Sequence, residues 1–302
     1  MSAHCRTDAL GLDRHVWQTC VVPLFLVWGV QSAQAEDPPA MKDPLRAAYL
    51  NDARTYQFVG GDARPLVMEP QSVLHWASPD DWSGDIFVWT QSGRPEIIGS
   101  MLAGPASGEM RPFYHEFHAL SINRLTRQTL PNGVVWDAPA PGIILKPVPG
   151  APDVAAGEAA RLRQMRSLIR DFSAHMMFND SRWELRLLTQ PIFRYRRPEG
   201  AATPADWIDG AVFVYVLTTG TDAEVALVLE ARPVETDIQW QYAPVRITNR
   251  PAWMNHKGSE IWRVDRHDEL AGTITRPYTT FYAGDKQISM SAENPPSATA
   301  PP

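Results

Sequence analysis

Two stretches, PDDWSGDIFVW at 79–89 and PADWIDGAVFVY at 204–215, decide the expected fold. Both contain Pro-x-Asp-Trp and then, from a glycine onward, Gly-x-(Ile/Val)-Phe-Val followed by an aromatic residue. Unrelated β-hairpins share apolar alternation and turn glycines, so the apolar positions alone are weak support for a repeat. The shared Pro-x-Asp-Trp is not explained in that way. We therefore interpret the two stretches as copies of one duplicated unit.

Around each copy the sequence predicts one helix followed by about five short antiparallel strands. The first helix is expected over 44–58, with Asp43 as N-cap and Pro44 at the first helical position. The second is expected over 155–178, where apolar residues follow helical spacing. Turn pairs such as Ser92-Gly93 separate the strands. The predicted strands are 86–90, 96–102, 114–122, 133–136, 183–188, 191–195, 211–217, 224–230, 240–248 and 260–264.

The expected fold class is therefore α+β, with two pseudo-repeats, predominantly antiparallel sheet and two main helices. In 84–90 both faces of the predicted strand are apolar, and the same holds for 212–215. Each should be a central strand that is covered on both sides. The expected organisation is a signal peptide at 1–35, a first repeat at 36–150, a second repeat at 151–270 and a partly disordered C-terminal extension at 271–302.

The N-terminal region has the pattern of an export signal. Residues 20–30 are mostly apolar and precede Ala33-Gln34-Ala35, a small-x-small cleavage site. The apolar run is shorter than the roughly 20 residues that span a bilayer. We expect cleavage near Ala35 and a periplasmic or extracellular protein, with an uncleaved anchor as the alternative. Cys5 and Cys20 would leave with the signal, so the mature chain would be cysteine-free, without disulfides or thiolate metal sites.

Composition and motifs favour a binding or structural module over an enzyme. The 302 residues carry 28 basic and 34 acidic side chains, a net charge of −6, which gives no support to a nucleic-acid partner. The chain has no Gly-x-Ser-x-Gly elbow, phosphate loop or dinucleotide fingerprint. We expect no cofactor, no metal and no membrane span in the mature chain. The strand tryptophans either pack in the sheet core or form a stacking surface for a small-molecule or carbohydrate ligand.

The densest polar cluster is 114–118, and it supplies the candidate site. On a strand, Tyr114, Glu116 and His118 share one face while His115 points the other way, so the two histidines cannot bind one metal ion. Glu116 and His118 could act as an acid–base pair, the basis of the alternative that the protein is a small hydrolase or lyase. Arg94 in the preceding turn could bind an anion. The competing interpretation is a structural pair in the sheet.

In the second copy, Gln241 and Ala243 stand where Glu116 and His118 stand in the first. Neither residue titrates, so the repeated fold by itself does not require the polar pair. This difference favours Arg94, Tyr114, Glu116 and His118 as ligand-binding residues, with Glu116 and His118 as the catalytic candidates if the protein is an enzyme.

Several phrases also resemble a group of exported proteins that is abundant in planctomycete bacteria. The phrases are 87–89, 93–96, 115–120, Trp136, 161–166 and 185–194. The group has no assigned activity, so the resemblance implies export and the extent of the folded region but no catalytic residue.

Overall fold

Two six-stranded antiparallel sheets lie face to face in the middle of the fold. The structure is a computed structural model that describes residues 43–131, 133–197, 206–268 and 272–288. The predicted signal peptide and the tail beyond 288 lie outside the described residues. Within them the chain is mostly antiparallel sheet with two short α-helices, which confirms the expected fold class at this coarse level.

The first sheet is built on three long strands that follow one another as hairpins. Its strands are β1 (Val67–Met68), β2 (Leu74–Ala77), β3 (Ser83–Gln91), β4 (Arg94–Ala103), β5 (Met110–Ala119) and β19 (Tyr278–Gln287). The order is β1–β3–β4–β5–β19, and β2 also pairs with β3. Ser92 and Gly93 connect β3 to β4 with φ values of 52° and 84°. Positive φ at both residues suits a tight hairpin, as the sequence pair predicts.

The second sheet has the same arrangement. Its strands are β8 (Lys146–Pro147), β11 (Arg186–Leu187), β12 (Phe193–Arg196), β13 (Asp209–Val216), β14 (Ala223–Val234) and β15 (Asp237–Arg246). The order is β11–β13–β14–β15–β8, and β12 also pairs with β13. In both sheets three long strands are therefore flanked by two short strands on one side and by a strand from elsewhere in the chain on the other.

Alternating side chains divide each sheet into two buried faces. Ile86 and Val88 of β3 meet Val212 and Val214 of β13 in the core between the sheets. Phe87 and Trp89 point to the opposite side of the first sheet, as Phe213 and Tyr215 do in the second. This confirms the prediction of central strands covered on both faces.

The glycine in each shared stretch has a packing reason. Gly84 lies across from Trp76 in the β2–β3 pair, and Gly210 lies across from Tyr195 in the β12–β13 pair. A Cβ atom on Gly84 would come within 2.7 Å of the Trp76 ring, and one on Gly210 within 2.4 Å of the Tyr195 ring. Only glycine leaves room for the ring of the neighbouring strand.

An outer layer covers each sheet. Helix α1 (Pro44–Arg54) and the strands β6 (Gln128–Thr129), β7 (Val135–Trp136) and β18 (Thr273–Ile274) cover the first sheet. Helix α2 (Glu158–Leu168), a 3₁₀ turn (Ile169–Asp171) and four more strands cover the second. These strands are β9 (Phe172–Phe178), β10 (Ser181–Glu184), β16 (Ala252–His256) and β17 (Ser259–Val264), in the order β10–β9–β16–β17.

Helix α1 begins where the sequence predicts, α2 begins at Glu158 instead of residue 155, and both helices end earlier than expected. Asp43 caps α1 by accepting hydrogen bonds from the backbone of its first turn, yet α1 ends at Arg54 instead of residue 58. The second helix was expected to reach residue 178, but residues 172–178 form β9. Phe172, Ala174 and Met176 point inward at two-residue spacing, and β9 pairs with β16. This long-range pairing outweighs the local helical spacing.

The chain segments do not follow the expected domain boundaries. Strand β8 precedes residue 150, yet it pairs with β15 of the second sheet. Strand β19 belongs to the predicted C-terminal extension at 271–302, but it pairs along its whole length with β5. Unpaired backbone groups at a sheet edge favour such additions. Residues 278–287 of the predicted extension are therefore an integral part of the first sheet.

Candidate functional site

A cavity of about 580 Å³ opens between the two sheets and is bordered by β10. We call it the inter-sheet cavity. Its volume falls within the range of about 300–1,000 Å³ that is usual for small-molecule sites. The lining residues are Trp76, Ser78, Pro79, Asp80, Trp82, Ser100, Leu102, Tyr114, Glu116, Phe178, Trp183, Leu217, Thr219, Asp222, Ala223, Glu224, Ile247, Thr248, Asn249, Arg250 and Thr280.

Aromatic side chains from separate elements form the sides of the inter-sheet cavity. Trp82 and Tyr114 belong to the first sheet and its loops, with ring centroids 5.6 Å apart. Phe178 and Trp183 come from β9 and β10, with ring centroids also 5.6 Å apart. Trp76 is held by a hydrogen bond of 3.3 Å that its indole nitrogen donates to Ser100. The rings offer apolar faces on which a ligand can stack.

Three carboxyl groups reach the same cavity from the two sheets. Glu116 comes from β5, Asp222 from the β13–β14 loop and Glu224 from β14. Tyr278 of β19 donates a hydrogen bond of 3.1 Å to Glu116. Within the described residues, the side chain of Asp222 lines the cavity, is partly buried, and has no hydrogen-bond or ion-pair partner. Such a group is available to a ligand.

Burial raises the pKa of Glu116 to about 8, and the nearby Glu224 adds to the shift. Tyr278, Arg246 and Arg250 oppose this shift but do not cancel it. The carboxyl is therefore largely protonated at neutral pH and can donate a proton or a hydrogen bond.

The pKa values of Asp222 and Glu224 are also raised. Burial raises the pKa of Asp222 well above its usual range, with further contributions from Glu224 and Glu116. Burial likewise raises the pKa of Glu224, while Thr248 and Arg250 act in the opposite direction. Like charges in a poorly solvated space cannot all ionise without a counter-charge. The cavity therefore has a strong tendency to hold protons or other positive charge.

His118 lies on the inter-sheet side together with Glu116, but it is not part of the inter-sheet cavity. It borders a separate small gap, which Glu116, Arg246 and Tyr278 also line. Its Nδ1 donates a hydrogen bond of 2.9 Å to the carbonyl of Ala119, and burial lowers its pKa to about 4. In the described chain no hydrogen bond or ion pair joins His118 to Glu116. The structure places these two residues near each other without forming the expected acid–base pair.

Of the other predicted site residues, Tyr114 lines the cavity and Arg94 does not. Arg94 is 3% exposed, and its guanidinium lies in an ion-pair network. It donates to Glu230 at 2.9 Å and to Glu96 at 3.0 Å. Glu230 belongs to β14 of the second sheet, so Arg94 joins the two sheets. The structure thus brings Tyr114 and Glu116 together at the cavity and assigns Arg94 a position inside the core.

Sequence reasoning missed Asp222, Glu224, Arg250 and Trp183 as site residues. The available signal was the pair Asp222-x-Glu224 directly after a glycine turn, since residues at i and i+2 of a strand share a face. That pattern does not reveal that β14 packs opposite β5. Asp222 and Glu224 are distant from Glu116 in the chain, so the sequence does not show that all three line one cavity.

Replacing Glu116 with glutamine should reduce the loss of stability that the unliganded protein shows as pH rises. The pKa of Glu116 in the folded state is about 8, above the ordinary value of 4.5. Proton binding by Glu116 therefore stabilises the folded state fully below about pH 4.5, and this stabilisation is lost as pH rises through about 8. Wild type should lose up to about 1.4 kcal/mol per pH unit from this group. Urea unfolding between about pH 5 and about pH 9 measures the loss.

Glu235→Gln provides a matched control, because it makes the same change at an exposed carboxylate. Its pH profile should follow that of wild type. Identical slopes for wild type and Glu116→Gln would contradict the prediction.

A metal-binding cluster and a membrane-spanning helix are both absent from the described ranges. No group of three or more His, Cys, Asp or Glu side chains there is arranged to hold a metal ion. No helix in those ranges is long and apolar enough to cross a membrane.

Comparisons with known proteins give no further assignment. No family model, no curated protein and no solved structure matches the chain.

Proposed function

We propose that the protein is a non-enzymatic binding module that holds a small molecule in the inter-sheet cavity. The observation that carries the proposal is the combination of aromatic sides with Asp222, a carboxylate without a partner in the described chain. Protein interiors are normally close-packed, and buried charges are normally paired. A space between the sheets that has the volume of a ligand site, aromatic sides and an unpartnered carboxyl group is best explained by a ligand.

A structural role for the cavity fits less well. The ion-pair network of Arg94 and Glu230 shows how this fold satisfies buried charge when the purpose is structural. Glu230 is fully buried and receives hydrogen bonds from Arg94, Arg232 and Tyr195. The carboxyl groups of the cavity lack comparable compensation.

A hydrolase or lyase is the second candidate, supported by the pKa of about 8 at Glu116. A protonated carboxyl beside other carboxyl groups is a usual arrangement of a general acid and its partner. Because His118 does not reach the inter-sheet cavity, the partner in this version is Asp222 or Glu224. Turnover of a ligand that is lost in Glu116→Gln while binding persists would favour the enzyme.

We further propose that the protein is exported and that its two sheets arose by duplication. Export is supported by the apolar run before Ala33-Gln34-Ala35 and by the resemblance to exported planctomycete proteins. A mature chain that begins elsewhere than Glu36, as measured by mass spectrometry of secreted material, would contradict the expected cleavage.

Duplication is supported by the equal strand order of the sheets and by the two glycines that lie under aromatic rings. If the sheets are equivalent, the registers match Glu116, which pairs with Ser100, to Ala243, which pairs with Val228. This is two residues beyond the sequence match to Gln241. The second copy still offers no titratable residue at this position.

The binding proposal predicts ligand-dependent stabilisation that a blocked cavity loses. A thermal-shift and tryptophan-fluorescence screen would use choline, benzyl alcohol and glucose as probes. A ligand at 100 times its dissociation constant stabilises the folded state by about 2.7 kcal/mol. Thr219 is exposed and lines the cavity, so Thr219→Trp should block entry and abolish the shift.

The neighbouring Thr218→Trp is the matched control, since Thr218 is exposed but does not line the cavity. This variant should respond as wild type does. If no probe binds, or if Thr219→Trp binds as well as Thr218→Trp, the cavity is not the binding site.

A further inference from the structure

We infer that the ligand of the inter-sheet cavity is a small organic cation, whose ammonium or guanidinium group is bound by Glu116, Asp222 and Glu224 while its apolar part stacks on the aromatic sides. The inference rests on the proposed function and names the chemical class of its ligand.

The charge of the lining residues is the first argument. Four acidic side chains line the inter-sheet cavity, against a single basic one. The acidic residues are Asp80, Glu116, Asp222 and Glu224, and the basic residue is Arg250. An anion would oppose ionisation of the carboxyl groups and would have only Arg250 as a basic partner among the lining residues. A neutral polyol would hydrogen-bond to the carboxyl groups but would supply no charge to balance their ionisation.

The aromatic sides are the second argument. A cation is attracted to the face of an aromatic ring within about 6 Å. The cavity already shows this contact within its own chain, because the guanidinium of Arg250 lies 3.9 Å from the centroid of Phe178. Trp183 packs edge-on against Phe178, and Trp82 and Tyr114 lie on the other side. Rings combined with carboxylates are the chemistry that recognises ammonium ligands.

The lack of a partner for Asp222 is the third argument. Arg250 is near enough to lower the pKa of Asp222, but in the described chain it forms no ion pair with that carboxylate. Arg246, the next basic residue, is occupied by the carbonyls of Thr248, Arg250 and Asp265. The chain therefore leaves this carboxylate for a charge supplied from outside.

Binding of a cation should be coupled to the release of protons. Glu116 is largely protonated at neutral pH, and the pKa values of Asp222 and Glu224 are raised as well, so an arriving cation would displace protons from the cavity. The affinity for the cation should therefore rise with pH. Charged and titratable groups from several elements act on Glu116, and they are Asp222, Glu224, Arg246, Arg250 and Tyr278.

The test compares choline with its neutral isostere 3,3-dimethylbutan-1-ol and with glucose. The quaternary ammonium of choline does not titrate, so any pH dependence belongs to the protein. Isothermal titration calorimetry in buffers of different ionisation enthalpy measures affinity and proton release together. We expect choline to bind about tenfold or more tightly than the isostere, with protons released on binding and affinity rising from about pH 6 to about pH 9.

Asp222→Asn should weaken choline binding about tenfold or more and leave binding of the neutral isostere unchanged. Glu235→Gln, which removes an exposed carboxylate, should change neither. Proton release by the wild-type protein tests the inference even if Asp222→Asn fails to fold. Isostere or glucose binding as tight as that of choline, or choline binding without proton release, would overturn the inference while the binding proposal stands. Absence of binding by every probe would overturn both.

Discussion

Replacing Arg94 with methionine should lower the free energy of unfolding by about 3–5 kcal/mol. Arg94 of the first sheet and Glu230 of the second form an ion pair at 2.9 Å, and both are almost fully buried. Methionine keeps the length of the side chain but leaves Glu96 without its ion-pair partner in the described chain and leaves Glu230 with Arg232 as its one remaining ion-pair partner there. Urea unfolding with a two-state fit gives the difference.

A double-mutant cycle separates the interaction from general damage. Arg94→Met combined with Glu230→Gln should destabilise less than the sum of the two single changes, because the double variant leaves less unpaired charge. Arg64→Met is a matched control, since its pair with Asp62 is exposed and such pairs contribute about 0–1 kcal/mol. A loss below about 1 kcal/mol for Arg94→Met would show that Arg94 does not hold the sheets together. It would make Arg94 a candidate for ligand binding again.

Phe87→Ala and Phe213→Ala should each destabilise the protein by about 3–5 kcal/mol. Both rings are fully buried, Phe87 between the first sheet and its outer layer and Phe213 between the second sheet and its own. Alanine would leave a cavity at the centre of each half. If the halves are duplicates, the two losses should be of similar size.

Ile144→Ala serves as the control, because Ile144 is 67% exposed and its loss should change stability by less than about 0.5 kcal/mol. A loss below about 1 kcal/mol in either phenylalanine variant would contradict the predicted central position of its strand. Strongly unequal losses would weaken the case for equivalent halves.

Several local elements could be predicted because the residues that determine each one lie close together in the chain. Asp43 and Pro44 determine the start of α1 through capping and a fixed φ. The pair Ser92-Gly93 determines the hairpin between β3 and β4 through positive φ. Alternating apolar residues predict that β3 and β13 are buried on both faces. These are properties of short segments, and the sequence contains them completely.

Tertiary structure decided where α2 ends and what completes the first sheet. Residues 172–178 continue the helical spacing of the preceding segment, but pairing with β16 makes them a strand. The sequence places segment 278–287 in a C-terminal extension. In the structure this segment pairs with β5 and forms a strand of the first sheet. Both outcomes depend on backbone partners that are distant in the chain, and no local pattern encodes the identity of such partners.

The candidate site was likewise predictable from the sequence only in part. Alternation along β5 was sufficient to place Tyr114, Glu116 and His118 on one face. It could not show that Asp222 and Glu224 of the second sheet line the same cavity as Glu116. Nor could it show that Arg94 forms a buried ion pair with Glu230. The sequence by itself determined which side chains share a strand face, because that follows from the two-residue repeat of the backbone. Only sheet-on-sheet packing decided which faces meet, and with it the burial and charge that shift the pKa values in the cavity.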